Sequence, residues 1–237
     1  MKIVKTKDRS TRREIMDDFE LQGEALRETL DDLDKVNTWL GGNKVTLEGV
    51  KKILNSTCFI QPVSIMDVGC GNGSLLKEVA DYGRRRGIKM KLQGVDANEH
   101  AIRLARENTK DYPEITFEAL DIFSEEFKAK EVDIILCTLT MHHFRDKEIE
   151  EIMHAFSNSC KMGIVINDLQ RSRIAYYLFE AFCAFFIKND IARRDGLTSV
   201  LRSFKKDDLE WYGRNLNMRD QKIAWKWAFR YQWILLK

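Results

Sequence analysis

The 237-residue chain is poor in proline, with only Pro62 and Pro113, and has five cysteines: Cys58, Cys70, Cys137, Cys160 and Cys183. Two prolines leave no room for Pro-rich linkers. The cysteines are odd in number, scattered, and never spaced C-x-x-C, so neither a disulfide framework nor a cysteine zinc site is indicated. An excess of one charge is also missing, since 39 Lys and Arg face 37 Asp and Glu, a net +2. A dedicated polyanion binder carries a large basic excess, so no nucleic-acid partner is expected. The start, MKIVKTKDRS, has no apolar core of a secretory signal. The most apolar long stretch, 174–187, is interrupted by Glu180 and falls short of the about 18 apolar residues a spanning helix needs. There are no repeats or low-complexity tracts. What is present is a 44% hydrophobic, 10% aromatic chain, ample for one core. The expectation is a soluble, cytoplasmic protein of one moderate domain, with no membrane span and no set oligomeric state.

Apolar spacing divides the chain. Leu26, Leu30, Leu33 and Leu40 recur at helical intervals, Gly41-Gly42 interrupts them, and Leu47, Val50, Ile53 and Leu54 mark a second helix. With no strand before Pro62 to pair with, residues 1–57 read as an N-terminal helical cap on a domain spanning 58–237. From Val63 strands and helices alternate, with strands near 63–69, 91–96, 115–121, 132–138 and 163–167. That alternation predicts an α/β fold with a parallel sheet covered on both faces. Residues 170–215 read as a helical insertion, with an aromatic helix at 174–187, a polar loop at 188–199 and a helix at 206–216. The last stretch, 222–237, alternates as two closing antiparallel strands, an amphipathic helix being the alternative.

The strongest local signal is Met66-Asp-Val-Gly-Cys-Gly-Asn-Gly73. Gly69, Gly71 and Gly73 fall where the first strand turns into a helix, which lets the backbone approach a ligand and leaves helix N–H groups free. The spacing is G-x-G-x-G, not the G-x-G-x-x-G dinucleotide fingerprint. Asp96 ends the second strand, where a carboxylate can accept both hydroxyls of a ribose. Asp121 ends the third, where it and the N–H of Ile122 could read an adenine edge. Three such positions at the carboxyl ends of successive parallel strands line one crevice.

At these residues, over roughly 60–169, the sequence resembles the class I S-adenosylmethionine-dependent methyltransferases. The resemblance implies a Rossmann-like, seven-stranded, mostly parallel sheet with an antiparallel last strand, in agreement with the reading of the tail. It implies S-adenosylmethionine as cofactor and S-adenosylhomocysteine as product. Gly69, Cys70, Gly71 and Gly73 would line the methionine part, with Asp67 supporting the loop. Asp96 and Ala97 would hold the ribose, Asp121 and Ile122 the adenine, and Cys137-Thr138 would flank the sulfonium and the acceptor. More loosely, the chain looks like stand-alone enzymes that methylate small molecules in quinone and polyketide-type biosynthesis.

After the fourth strand, amine methyltransferases of nucleobases or protein amides carry an N/D-P-P-Y/F turn. Here stands Thr138-Leu-Thr-Met-His-His-Phe144, similar to the L-x-x-H-H-F of small-molecule members. His142 and His143 are candidates for an oxygen-directed base, because imidazole titrates near neutrality; the other reading is a helix-capping or packing role. Catechol-type enzymes assemble magnesium from acidic and amide groups after the fourth and fifth strands. This chain has Asn167-Asp168 but no acid directly after Cys137-Thr138, so no metal is expected. Asp168 would instead fix the substrate loop or bind a polar acceptor group. The aromatic helix with Tyr176, Tyr177, Phe179, Phe182, Phe185 and Phe186 reads either as a core helix or as one wall of an apolar acceptor pocket. Arg171, Arg173, Arg193, Arg194 and Arg202 could meet a carboxylate or phenolate. Asp168, Arg171, Tyr176 and Arg202 are thus the expected substrate contacts. The leading reading is O-methylation, or C-methylation, of a small apolar acceptor, such as an aromatic hydroxyl compound. The alternatives are RNA or protein methylation, with Arg84-Arg-Arg86 on phosphate, and a non-catalytic cofactor-binding regulatory module.

Overall fold

The computed structural model describes residues 4–187 and 189–237. Its centre is a seven-stranded sheet of β1 (Val63–Val68), β2 (Met90–Asp96), β3 (Ile115–Ala119), β4 (Val132–Thr138), β5 (Cys160–Leu169), β6 (Asp220–Lys226) and β7 (Arg230–Leu236), in the spatial order β3-β2-β1-β4-β5-β7-β6. Strands β1 to β5 pair in parallel, and β7 is antiparallel to both β5 and β6. The expected Rossmann-like α/β sheet is therefore the one found, and the tail closes it as two strands. The order reverses between β1 and β4, which opens a crevice at their carboxyl ends.

Strand side chains alternate between faces, so continuous apolar runs can be buried on both. On one face Ile65, Leu92, Ile134 and Val165 join one core, and on the other Met66, Val68, Ile135 and Ile164 join a second. Truncating Ile65, 1% exposed, to alanine would cost about 2–5 kcal/mol. The first face is covered by α3 (Ser74–Arg86), α4 (Glu99–Asn108) and α2 (Gly42–Ser56). The second is covered by α5 (Glu125–Lys128), α6 (Asp146–Ser159) and α9 (Lys206–Tyr212), through Phe127, Ile149, Phe156 and Leu209.

Four readings of the sequence differ from this arrangement. The 1–57 segment is not one cap: Leu47, Val50, Ile53 and Leu54 of α2 are part of the sheet core. Of this segment only α1 (Gly23–Trp39) and residues 4–22 stand outside the sheet layers. Residues 4–14 contain no helix; they run along the body of the fold, with Ser10 N–H on the Leu201 carbonyl at 2.9 Å. The expected loop at 188–199 is instead largely helix α8 (Asp190–Arg202), started by Asn189, whose side chain accepts the N–H groups of Ile191 and Ala192; Lys188 lies outside the described residues. Finally, the aromatic helix α7 (Arg173–Phe186) does not cover the sheet. Only Ala175 and Cys183 of it are buried, and Phe185 is 84% exposed. No helix among the described residues is long and apolar enough to cross a membrane.

Candidate active site

A cavity of about 1620 Å³ lies at the carboxyl ends of the strands, roofed by residues 9–20, α1, α7 and α8. One wall is the turn between β1 and α3. Gly69, Gly71 and Gly73 all take positive φ, a region that costs an L-residue strain. At Gly69 space matters too, since a Cβ would meet Thr140 Oγ1 at 2.3 Å. Asp96 accepts the N–H groups of Gly71 and Asn98, each at 3.0 Å. Burial raises its carboxyl above the usual range against those two bonds. Asp67, 2% exposed, leaves Oδ1 without a partner among the described residues. Burial and then the Asp96 charge push it up to about 8. Asp121 stands at the rim, its carboxylate taking the N–H of Phe123 at 2.9 Å.

The opposite wall is built from side chains. Leu139, at φ 53°, bends the chain after β4 and bonds the Asn167 carbonyl at 2.8 Å. That turn delivers His142 and His143, whose rings lie 4.4 Å apart. His142 Nδ1 meets Asp168 Oδ1 at 2.7 Å, and its N–H reaches Oδ2 at 3.2 Å. His143 Nδ1 meets Asp17 Oδ1 at 2.6 Å. Burial alone would raise Asp168, but the charge and hydrogen bond of His142 outweigh it and hold the carboxyl low. Asp17 is likewise held below the usual range against burial, by His143 and Arg202. Facing the Nε2 edges of both rings is Glu14, with Oε1 3.7 Å from His142 Nε2 and Oε2 3.9 Å from His143 Nε2. Its Oε2 accepts the Ser199 hydroxyl at 2.7 Å, and burial raises its pKa to about 7. Two arginines grip the turn's carbonyls: Arg202 those of His142 and His143, and Arg9 those of His142 and Phe144.

Most expected residues meet here. Asp67, Gly69, Cys70, Gly71, Asp96, Ala97, Asp121, Ile122, Thr138, His142, His143 and Arg202 all line the cavity. Five expected contacts do not. Gly73 faces Phe117, where a Cβ would sit at 2.8 Å, so it packs helix against strand. Cys137 is buried in the core beneath the site. Asp168 stands behind His142 and orients it. Arg171 is spent on Asp208 at 2.9 Å and on backbone carbonyls of Thr6, Lys7 and Ser203. Tyr176 stacks edge-on against Tyr177, off the cavity. Arg84, which the RNA-methylation alternative would set on phosphate, forks onto Glu114 at 2.6 and 2.8 Å. Of the two readings of the aromatic helix, the cavity wall is the one the lining agrees with: Leu178, Phe179 and Phe182 of α7 line it. Sequence reading missed Glu14, Asp17, Arg9 and Arg230. The first two lie in a segment with no motif, more than a hundred residues from the histidine pair, so no local signal flags them.

Glu14, His142 and His143 offer donor atoms within 4.8 Å of one another, a set able to take a metal ion. A cation there would compete with Arg202, 3.6 Å from Glu14 Oε1, and with the Ser199 bond to Oε2.

Residues 65–163 match a family model described as a methyltransferase domain. The sheet order and the glycine turn agree with that match, and the fold is the Rossmann-like one of the class I S-adenosylmethionine-dependent methyltransferases. No curated protein matches the chain by sequence. Among solved structures, the plantazolicin methyltransferase BpumL, in complex with SAH, is similar with a TM-score of 0.66 at 19% identity, over 89% of this chain and 90% of its own. The DszA carbon methyltransferase gives 0.63 at 13% identity, over 83% of this chain and 54% of its own. Magnesium protoporphyrin IX methyltransferase (ChlM) from Synechocystis PCC 6803 gives 0.52 at 12% identity, over 89% and 83%. At these identities the likeness is one of fold.

Proposed function

We propose that the protein transfers a methyl group from S-adenosylmethionine to a small, largely apolar acceptor with an acidic O–H or enolisable C–H, and that His142 takes the acceptor's proton. The single observation behind this reading is the buried His142–Asp168 pair at 2.7 Å beside the glycine turn. Asp168 is held low and ionised, so it only accepts hydrogen bonds. An imidazole bonded to that carboxylate donates from Nδ1, which leaves Nε2, 3.7 Å from Glu14 Oε1, as the atom that would take the acceptor's proton. His142 is 2% exposed, so water does not compete for that lone pair.

The residues fit the cofactor. The orphaned Oδ1 of Asp67 suits an ammonium group, and at Gly71, where a Cβ would meet nothing nearer than Leu30 at 3.4 Å, the backbone is open to an amino-acid moiety. Asp96 keeps acceptor lone pairs for two ribose hydroxyls, while Asp121 and the Ile122 N–H suit the adenine edge. The bound cofactor would supply a methyl group on a positively charged sulfur. With S-adenosylhomocysteine as the leaving product, His142 Nε2 would take the acceptor's proton as the methyl group passes to the acceptor's oxygen or carbon. Asp168 stabilises the resulting imidazolium. Arg202 and Arg9 hold the histidine turn in place by its carbonyls, a positioning role that can lower the barrier by several kcal/mol, up to about 7–11. Residues 9–20 and α1, with α7 and α8, act as the lid, and Leu178, Phe179 and Phe182 make it apolar. The five free cysteines suit a reducing, cytosolic setting.

The test is turnover of methyl-labelled cofactor with a library of phenolic and 1,3-dicarbonyl acceptors. Label transfer that His142→Asn abolishes, with S-adenosylhomocysteine binding intact, is expected. Cofactor binding without transfer to any acceptor would favour a non-catalytic module.

A further inference from the structure

Arg230 opens β7, opposite Leu169 of β5 and one register step from the Asp168 position. It is 1% exposed, yet it lines the cavity. Neither Nε nor Nη1 has a hydrogen-bond partner among the described residues, and it forms no ion pair there. Burial lowers its pKa to about 10, which leaves it charged at neutral pH. The nearest acid acting on it, Asp168, is already committed to His142 and to the N–H of Leu169. A buried guanidinium with no carboxylate in contact, only the more distant charge of Asp168, is costly for a protein to hold.

The surroundings are built to keep it there. The turn from β6 to β7 passes through Ala228 and Phe229, both at positive φ (61° and 53°), a strained conformation for residues with side chains. At Gly42 a Cβ would meet Arg230 Nη1 at 2.6 Å and Asn37 Oδ1 at 1.7 Å, so only glycine leaves both groups their place. Asn37 Oδ1 is itself buried without a partner. A shift joining that oxygen to Nη1 would satisfy a donor but leave the positive charge uncompensated. The cavity nearby is lined by Val36, Leu40 and Phe229, and the neighbouring Lys52 is turned onto Gln232 at 2.9 Å. One cation in an apolar recess matches a monoanion better than a phosphate dianion.

We propose that Arg230 is the base of a carboxylate-binding subsite within this cavity, completed only when a ligand carboxylate pairs with it. The proposal rests on the cavity being the methyl-transfer site, which offers two sources for that group: the amino-acid end of the cofactor, or an acidic acceptor.

The experiment is calorimetric titration of wild type, Arg230→Met and Arg230→Lys with two matched pairs of probes. The first pair is S-adenosylhomocysteine and 5′-methylthioadenosine, which lacks the amino-acid end. The second is 1-naphthoate and 1-naphthamide, titrated into protein saturated with 5′-methylthioadenosine. Loss of one charged hydrogen-bonded pair predicts that Arg230→Met weakens a carboxylate probe about ten- to a hundredfold, with its uncharged counterpart unchanged and Arg230→Lys in between. Loss on S-adenosylhomocysteine alone assigns the subsite to the cofactor, and loss on naphthoate assigns it to the acceptor. Thermal melts of ligand-free protein add a readout that a structural role could not mimic. Removing an unpaired buried cation leaves Arg230→Met melting at or above wild type. The proposal is overturned if Arg230→Met binds both carboxylates as wild type does, or if it melts lower and loses 5′-methylthioadenosine as well. If wild type ignores S-adenosylhomocysteine but prefers naphthoate through Arg230, the methyl-transfer reading fails and the subsite stands.

Discussion

The two walls of the cavity are made by different means. The glycine wall is backbone: a contiguous strand–turn–helix held by its own hydrogen bonds, Gly69 and Cys70 N–H on the Val95 carbonyl and Gly71 N–H on Asp96, with one orphaned carboxylate oxygen on Asp67. The histidine wall is side chain: Glu14, Asp17, His142, His143, Asp168, Ser199 and Arg202 share protons and charge across the whole length of the chain. A backbone site asks only that the turn keep its φ angles. A shared side-chain network asks that each member stay paired, because an orphaned buried polar group costs about 1–3 kcal/mol. The first wall is therefore suited to a fixed ligand, and the second can be tuned to a particular acceptor.

That contrast can be broken by experiment, starting from the largest expected effect. His142→Ala should lower kcat by about 10²–10⁴ while leaving S-adenosylhomocysteine affinity within twofold or so of wild type, read by steady-state kinetics and calorimetry. Asp168→Asn should give a smaller fall and an altered pH–rate profile, since the amide no longer fixes the tautomer. If either change weakened cofactor binding as much as turnover, the walls would not be separate. On the other side, Asp96→Asn removes one acceptor oxygen and should weaken S-adenosylhomocysteine about tenfold or more, without moving the pH–rate profile.

A smaller effect concerns stability. Glu14 titrates at about 7 in the folded protein against 4.5 ordinarily, and Asp67 at about 8 against 3.8. Both pKa values are raised, so the folded state holds more protons than the unfolded state between those limits. Their contribution is complete below the ordinary values and is lost as pH rises toward 7–8. Asp17 and Asp168 are held low and act oppositely, losing their contribution only in acid. Ligand-free protein should therefore melt lower at pH 8 than at pH 5.5, and Glu14→Gln should flatten that slope. A melting temperature that rises over this window would contradict the arrangement. The smallest effect is on metal dependence: activity should survive a chelator. Loss of activity with EDTA, restored by a divalent cation and absent in Glu14→Gln, would mean that Glu14, His142 and His143 hold an ion instead of taking a proton.

The same contrast explains what could be read from sequence. The strands and the glycine turn were legible because period-two apolar runs and G-x-G-x-G are local patterns, set by a few consecutive residues. Asp96 and Asp121 followed, being tied to strand ends. The histidine pair was visible as a motif, but its acids were not: Asp17 and Glu14 lie more than a hundred residues away, in a segment with no pattern. Arg171 and Tyr176 were misjudged because nearness in sequence to the site says nothing about which side of a helix faces it. Gly73 was assigned to the ligand, while the structure spends it on Phe117. Helix α8 was read as a loop because Arg193, Arg194, Gly196 and Thr198 blur its apolar periodicity; the cap at Asn189 and the packing of Gly196 on Phe179 make it a helix. Arg230 sat unnoticed in an alternating strand, and only burial without a partner singles it out.

The most direct test of the central claim is titration of S-adenosylhomocysteine into wild type, Asp96→Asn and His142→Asn. The account predicts one site per chain in wild type, an unchanged site in His142→Asn, and binding weakened at least about tenfold in Asp96→Asn. No binding to wild type, or equal weakening by both substitutions, would contradict it.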